Sequence, residues 1–258
     1  MIKIALPLLI LPLSLPVFAA EKADHSPDLN IGLGMVVQSG EYLGEDTEVM
    51  PFPTLSYEGE RLFLRGAYGG VHLYKNPSLN VSAILSTNIQ KLDVDDLDSN
   101  KLAQRNLTKD QLEDRDMSVD AGLEAVWKSA YGNISLQALG DIGGASEAGV
   151  AKLNYQYFWN INDKWTVVPN IGATWLSDDR ANYYYGTLDS EEAKGVERYR
   201  PDSLVIPHVS LGTSYQVNQN WRATAIVTHK MLPNKAANGP LMDNDSRTSL
   251  FVGASRKF

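Results

Sequence analysis

The stretch RTSLFVGASRKF, from Arg247 to Phe258, decides how the rest of the chain is interpreted. Alternate residues from Thr248 to Phe258 are mainly apolar, and the residues between them are mainly polar. Arg256 and Phe251 are the exceptions on their respective faces. A period of two is that of a β-strand with one apolar face, and a helix would repeat every 3.6 residues. The sequence therefore predicts that the chain ends in an amphipathic strand.

The first twenty residues predict export from the cytoplasm. Lys3 supplies a positive charge, and Ile4 to Phe18 is apolar but too short and too rich in proline to span a membrane. The segment Val17-Phe18-Ala19 has the small-x-small pattern of a cleavage site. We predict that residues 1–19 are a cleaved signal peptide and that residues 20–258 form one domain.

Composition excludes several classes of protein. The chain has 31 acidic and 23 basic residues, and this excess of negative charge argues against nucleic acid as a partner. It contains no cysteine, so neither a disulfide framework nor a lipoprotein signal is present. Beyond the signal peptide no run of eighteen apolar residues occurs, so the sequence predicts no membrane-spanning helix.

Alternation of apolar and polar residues recurs along the whole chain. Eleven segments carry it, namely 29–38, 49–57, 61–74, 79–90, 117–128, 131–142, 151–159, 165–175, 205–217, 221–227 and 247–258. Single-chain bacterial barrels have an even number of strands. The segment 61–74 contains Gly66, Gly69 and Gly70 and gives twelve strands if it is divided into two. We predict twelve strands, with ten as the alternative if one early segment lies outside the wall.

Connection lengths and tryptophan positions predict a membrane barrel. Short turns at 129–130, 160–163 and 218–220 alternate with long connections at 92–115, 178–203 and 232–245. Short periplasmic turns and long outer loops are typical of an outer-membrane barrel. The aromatic residues beside the short turns predict a membrane-interface girdle of Trp127, Tyr131, Trp159, Trp165 and Trp221. A secreted soluble β-domain would alternate too, but it has no reason to place tryptophans on one rim.

The predicted fold is thus an all-β, antiparallel transmembrane β-barrel in the outer membrane. Its last strand must pair with the first, near Leu29 to Val37, because a barrel in lipid leaves no open edge. An aromatic terminus of this kind is similar to the signal that the barrel-assembly machinery reads. We therefore predict that Phe258 is an assembly signal. Proline at positions 51 and 53 predicts poor pairing at that end of the second strand.

The acidic connection between Leu92 and Arg115 predicts a solvated loop. A short helix is expected from Leu102 to Leu112, with Thr108 or Asp110 as its cap. The aspartates in this stretch do not have the spacing of an EF-hand loop, and the pattern is typical of a solvated acidic face. We predict no metal site and no cofactor.

Catalytic residues are few. His208 and Ser210 lie two apart on one face of a strand, an arrangement similar to the His-x-Ser pair of outer-membrane lipid A deacylases. A hydrolase also needs a third group that orients the base, and no acid stands at a fixed spacing. We favour lumen-lining polar residues and predict that the protein is not an enzyme.

The long connection 178–203 carries the best candidates for recognition. Tyr183, Tyr184 and Tyr185 could offer a partner a rigid amphipathic surface, or could brace the loop by packing inward. Arg198 and Arg200 are candidates for contact with lipopolysaccharide phosphates, although ordinary loop charge is favoured.

Two segments and the carboxyl terminus resemble the MipA/OmpV family of outer-membrane proteins. They are YLGEDTEVMPFPTLSYEGERLFLRGAYGGVHLYKN from Tyr42 to Asn76, and DDRANYYYG from Asp178 to Gly186 followed by EEA and RYRPD. With Phe258, the resemblance covers nearly the whole mature chain. It implies an outer-membrane barrel, and it implies a scaffold role like that described for the family, joining a murein lytic transglycosylase to a murein synthase. It carries over no catalytic residue.

The expected function is a non-enzymatic envelope scaffold, in contact with outer-membrane lipid and lipopolysaccharide. One alternative is a small-solute or osmolarity-linked channel, although a lumen filled by side chains such as Asp120, Glu124, Lys152 and Gln156 is expected to be plugged. The other alternative is a lipid hydrolase that uses His208 and Ser210.

Overall fold

Residues 28–146 and 148–258 are described by a computed structural model of the chain. The predicted signal peptide, residues 1–19, lies outside this part. Within the described residues, no helix is both long and apolar enough to cross a membrane.

Thirteen strand segments form one antiparallel sheet. They are β1 (Asp28–Gln38), β2 (Glu48–Glu58), β3 (Leu62–Arg65), β4 (Tyr68–Lys75), β5 (Leu79–Asn88), β6 (Ser118–Ser129), β7 (Gly132–Asp141), β8 (Gly149–Gln156), β9 (Trp159–Asn160), β10 (Trp165–Leu176), β11 (Leu204–Gln216), β12 (Trp221–Met231) and β13 (Ser246–Lys257). Both β8 and β9 pair with β10, so the short β9 continues β8 and the wall has twelve strands.

The sheet closes on itself as predicted. The last strand, β13, pairs with β1 from Asn30 opposite Lys257 to Gln38 opposite Ser249. Strands β10 and β11 also pair along their whole length, which joins strands β1–β10 to strands β11–β13. The glycine-rich segment 61–74 is the hairpin of β3 and β4, with Gly66 at a φ of 61° in its turn. This hairpin confirms twelve strands and excludes ten.

The two faces of the wall differ as the alternation predicts. Outward positions carry aliphatic side chains that are more than half exposed, namely Leu33, Leu85, Leu123, Leu136, Leu153, Ile171 and Leu211. Inward positions carry polar side chains that are buried in the lumen, among them Ser82, Asp120, Glu124 and Gln137. Exposed apolar surface around a closed barrel matches the lipid-facing band of a transmembrane barrel.

Four α-helices lie in the long connections: α1 (Ser99–Gln104), α2 (Asp178–Tyr185), α3 (Asp189–Ala193) and α4 (Asn234–Ala237). The prediction of a helix from Leu102 to Leu112 is wrong, because Asp98 starts α1 earlier by accepting hydrogen bonds from the backbone N–H of Asn100 and Lys101. The same N–H groups hold the pKa of Asp98 below its usual value. Thr108 caps only a 3₁₀ turn, Lys109–Gln111.

The outer half of β2 has a strand on one side only. Residues Ser56–Glu58 pair with β3, whereas Glu48–Leu55 pair with β1 alone. The carbonyl of Leu55 accepts a hydrogen bond from Gly66 in the β3–β4 turn, and the hairpin reaches no further. The pairing on that side therefore ends before the proline positions, as the sequence predicts.

Pro51 and Pro53 lie on this unpaired edge. They share the parity of Leu55, so their backbone nitrogens face the side that β3 leaves open. Proline carries no N–H, so the edge offers no donor at either position to a second chain. Behind it, Met50 and Ile89 pack against a buried cluster inside the barrel that contains Phe52.

Replacing both edge prolines by valine is expected to promote pairing between barrels. The substitutions Pro51→Val and Pro53→Val restore two N–H donors on an edge that faces lipid, where an unsatisfied donor is costly. We expect a several-fold rise in crosslinked dimer in detergent. Pro207→Val is the matched control, because Pro207 lies in β11 opposite Ala173 of β10 and away from the open edge of β2. An unchanged monomer would show that the prolines do not protect this edge.

Candidate functional site

The long connections fold together over one end of the barrel. We define the lid as residues 39–47, 89–117, 177–203 and 232–245, which follow β1, β5, β10 and β12. All four lie at the end opposite the short turns, which is the outer end in an outer-membrane barrel. Backbone hydrogen bonds join three of them, since Leu43 donates to Leu241 at 2.9 Å and Asp98 donates to Leu43 at 3.1 Å. The hydroxyl of Tyr42 joins the fourth by donating to the carbonyl of Tyr184. The lid is thus one folded layer and not a set of separate loops.

The lid has its own hydrophobic core. Each connection contributes buried side chains, namely Tyr42, Leu43, Leu92, Leu97, Leu102, Leu107, Leu112, Ala181, Tyr184, Tyr185, Val196, Leu232, Ala236, Leu241 and Met242. The underside of this core packs on inward residues at the strand ends, namely Leu139, Val150, Leu176 and Leu204. A fully buried leucine contributes roughly 1.5–3 kcal/mol to stability, so this core is substantial.

The three adjacent tyrosines of α2 are part of this core and do not form a free surface. Tyr184 and Tyr185 are 2 % and 4 % exposed. The hydroxyl of Tyr185 accepts a hydrogen bond from Gln90 at 2.9 Å, and the hydroxyl of Tyr42 donates to the carbonyl of Tyr184 at 3.2 Å. Tyr184 and Tyr185 therefore present little ring surface to a partner. They brace the lid by packing inward, and half-buried Tyr183 packs against them.

Burial also keeps the hydroxyl groups of the lid tyrosines protonated. It raises the pKa of Tyr184 to about 12 and raises the pKa of Tyr42 and Tyr185 well above the usual value for tyrosine. The nearby carboxylate of Glu41 raises the last two further. All three hydroxyls are neutral at physiological pH, so each remains able to donate a hydrogen bond.

A buried ion pair ties the lid to the wall. Arg180 of α2 donates to both carboxylate oxygens of Asp120 on β6, at 2.7 and 2.9 Å, and also to the hydroxyl of Ser118. Arg180 and Asp120 are each 1 % exposed. A bidentate guanidinium–carboxylate pair fixes both distance and orientation. Helix α2 is therefore held down into the lumen.

A second buried ion pair joins two parts of the lid. Arg115, just before β6, donates to both carboxylate oxygens of Glu191 on α3, at 2.9 and 2.8 Å. Its Nε donates to the carbonyl of Tyr183 at 2.6 Å. Glu191 also accepts from the backbone N–H of Glu113 and Leu188. This carboxylate joins the connection after β5 to the one after β10.

The residues of the alternative hydrolase pair, His208 and Ser210, each bond to other partners. The Nε2 of His208 contacts the amide oxygen of Asn154 at 2.9 Å. The hydroxyl of Ser210 accepts hydrogen bonds from Asn170 and Thr228, at 3.4 and 3.2 Å. A hydrolase needs its base bonded to its nucleophile, and these contacts place the two residues in the polar lining of the lumen instead.

The candidate lipopolysaccharide arginines are engaged within the lid. Arg200 contacts Asp189 and Glu192, and Arg198 lies 3.7 Å from Glu192. Among the described residues, no group of three or more histidine, aspartate and glutamate side chains is placed to hold a metal ion.

The predicted girdle residues all lie at the end opposite the lid, exposed on the surface of the barrel. They are Trp127, Tyr131, Trp159, Trp165 and Trp221. Phe258 is at the same end with its ring exposed, and its backbone N–H donates to Leu29 at 2.9 Å. The guanidinium of Arg256 lies 5.0 Å from the centre of this ring.

Comparisons of the sequence with a family model and with known proteins point to one family. The family model described as MltA-interacting protein MipA matches residues 31–258. The chain is similar to the MltA-interacting protein of Escherichia coli (strain K12), with 28 % identity over 89 % of this chain and 90 % of the relative. It is similar to the putative outer membrane protein YiaT of the same strain, with 24 % identity over 95 % and 96 % of the two chains.

A solved outer membrane channel of Pseudomonas putida F1 aligns over 93 % of this chain and 100 % of its own, with 11 % identity and a TM-score of 0.46.

The family model spans every strand of the barrel except the first residues of β1. The chain is therefore an outer-membrane protein that belongs to the MltA-interacting protein MipA family.

Proposed function

We propose that this barrel is a non-enzymatic envelope scaffold that binds a murein lytic transglycosylase and a murein synthase at its periplasmic end. The observation that carries the proposal is the lid, whose buried core covers the outer mouth and is anchored by Arg180 to the lumen. A mouth closed in this way favours a binding role over solute passage. A relative named for its interaction with MltA supports a partner in murein metabolism.

The periplasmic end supplies the proposed contact surface. Among the described residues, the connections at this end are short turns. These turns and the strand ends beside them present exposed basic side chains, namely Arg61, Lys75, Lys164, Arg256 and Lys257, against the exposed acidic side chains of Glu60 and Asp163. The lid by contrast contains most of the acidic residues of the chain. A basic rim favours partners with an acidic docking face, because complementary charge guides association.

Site-specific crosslinking in intact cells tests the scaffold role. A photo-crosslinking residue at Ala130, in the turn between β6 and β7, is expected to capture a murein lytic transglycosylase or a murein synthase. The matched control places the same residue at Lys194 on the lid, where no such adduct is expected. If neither enzyme is recovered from position 130 or from other periplasmic turns, the scaffold role is wrong.

The same proposal gives the aromatic residues opposite the lid a position in the membrane. We propose that Trp127, Tyr131, Trp159, Trp165 and Trp221 lie at the periplasmic interface, where an apolar ring with a polar edge is favourable. Contact with lipopolysaccharide then falls to the outer end. There the exposed groups of the lid lie at the level of the headgroups.

Deletion of Phe258 is expected to impair assembly while weakening the folded barrel only slightly. Its ring is 63 % exposed and lies outside the packed interior, so its loss removes little burial. We expect a several-fold drop in heat-modifiable barrel in the outer membrane. For the fraction that folds, the free energy of unfolding should fall by only about 1 kcal/mol, the contribution of the hydrogen bond from Phe258 to Leu29. Phe251→Ala is the control, since buried Phe251 packs 5.9 Å from Phe52. It should instead cost about 3–5 kcal/mol of stability. Normal assembly after the deletion would remove the signal role.

A further inference from the structure

The lumen separates its charges between two sides. Inward acidic side chains lie on β2, β6 and β7, and they have partners: Glu58 pairs with Arg65, Asp120 with Arg180, and Glu124 accepts from Gln137. From β8 to β13, the inward positions of the strands carry no aspartate or glutamate. They carry basic residues instead, namely Lys152, His208, Arg222, Lys230, Arg247 and Lys257.

Three of these basic groups converge directly beneath the lid. His208 and Lys230 are opposite each other in the β11–β12 register, where facing side chains are neighbours. Lys152 lies on β8, one inward position from Asn154, the residue that His208 contacts. Above them, Val150 and Leu204 belong to the wall residues on which the lid core packs. The group is thus at the closed end of the lumen.

A glycine on the intervening strand allows this convergence. Gly172 of β10 lies between Asn154 and His208 in the sheet. A Cβ atom at Gly172 would lie 2.5 Å from the amide oxygen of Asn154 and 2.7 Å from a ring carbon of His208. Any larger residue would therefore push the two side chains apart. The contact is built into the wall, and it orients the histidine ring.

Neither lysine forms an ion pair in the described part of the chain, although Asp120 and Glu124 act on Lys152, and Glu41 acts on Lys230, from beyond pairing distance. The ion pairs of residues 28–146 and 148–258 do not include Lys152 or Lys230, whereas Arg247 on the next strand pairs with Glu41 at 3.5 Å. The inward residues next to the group on its periplasmic side are neutral and polar, namely Asn170, Ser210 and Thr228, and Ile226 and Arg222 follow further along β12. Two ammonium groups that no carboxylate contacts directly favour the binding of an oxyanion from solution.

We propose that Lys152, Lys230 and His208 form a lumenal binding site for a small solute that carries one carboxylate or phosphate and enters from the periplasmic end. The lysines neutralise the oxyanion, and the hydroxyl and amide groups below them bond the polar remainder of the solute. Because the lid closes the outer mouth, the solute leaves through the periplasmic end by which it entered. This site does not depend on the scaffold role.

Calorimetry on the refolded full-length barrel in neutral detergent tests the site with three probes. Glucuronate supplies the carboxylate, glucose 6-phosphate the phosphate, and glucose the uncharged control. We expect submillimolar binding of at least one anion, no detectable binding of glucose, and weaker binding at high salt. The anion that binds more tightly identifies the oxyanion class. Equal heats from glucose and both anions would overturn the proposal.

Matched variants locate the binding. Lys152→Gln with Lys230→Gln is expected to weaken anion binding at least tenfold, whereas Lys152→Arg with Lys230→Arg should retain it. Lys235→Gln is the control, because Lys235 lies on the exposed lid surface beside Asp202. Anion binding that survives in the double glutamine variant would overturn the site. If that variant does not refold, loss of binding in Gly172→Val, with refolding confirmed by heat modifiability, decides the same question.

Discussion

Replacing Arg180 by methionine is expected to release the lid and to turn a closed barrel into a conducting one. The substitution leaves the Asp120 carboxylate buried at 1 % exposure without its partner. Removing one member of a buried ion pair typically costs about 3–5 kcal/mol. The wall is held by backbone hydrogen bonds between its strands, which the substitution does not touch. We therefore expect the lost stability to weaken the attachment of α2 to the wall.

Planar-bilayer recordings and urea unfolding in lipid vesicles measure the two effects. The unsubstituted protein is expected to give no steady conductance, and Arg180→Met is expected to give one. Arg200→Met is the matched control, because Arg200 is a half-exposed arginine of the same connection that pairs with Asp189 and Glu192. An exposed pair contributes only about 0–1 kcal/mol, so that variant should remain closed.

A second substitution separates the effect of the unpaired charge from the effect of lost packing in Arg180→Met. Adding Asp120→Leu to Arg180→Met removes the stranded carboxylate and is expected to restore much of the lost stability. If Arg180→Met stays as closed and as stable as Arg200→Met, the ion pair does not hold the lid. A steady conductance in the unsubstituted protein would count against the closed mouth and hence against the scaffold proposal.

The wall could be predicted from sequence because its determinant is local. Each strand alternates on its own, and the outward leucines that define the lipid face are visible without knowledge of any neighbour. Even the difficult segment 61–74 followed from the density of glycine, which marks the turn at Gly66. The unpaired edge at Pro51 and Pro53 was visible for the same reason, since proline always lacks a donor.

The lid could not be predicted because its determinants are remote in sequence. Arg180 and Asp120 are 60 residues apart, and Arg115 and Glu191 are 76 apart, so only the closed barrel brings them together. The three tyrosines appeared equally suited to the surface and to the core. Whether they are buried depends on Gln90 and Tyr42, which come from other connections.

Replacing Glu191 by glutamine is expected to loosen the lid from within. The Glu191 carboxylate is fully buried and accepts hydrogen bonds from Arg115, Glu113 and Leu188. Glutamine keeps the shape but removes the charge that balances the guanidinium of Arg115. Its NH2 group would also face N–H donors that the carboxylate now accepts from. We expect a loss of about 3–5 kcal/mol, by the same reasoning as for a broken buried pair. Hydrogen exchange at the Glu113 and Leu188 amides should report it, with Glu192→Gln as the control.

The double variant Arg180→Met with Glu191→Gln decides whether the lid opens as one unit. Arg180 anchors the lid to the wall, whereas Glu191 joins two connections within it, and the two sites share no hydrogen-bond partner. Independent sites give additive losses of stability, to within roughly 0.3–0.5 kcal/mol. If the lid is a single layer, the first substitution already frees it from the wall, and the second should add less than its own cost. Full additivity would mean that the connections move separately, and each would then need its own anchor to keep the mouth closed.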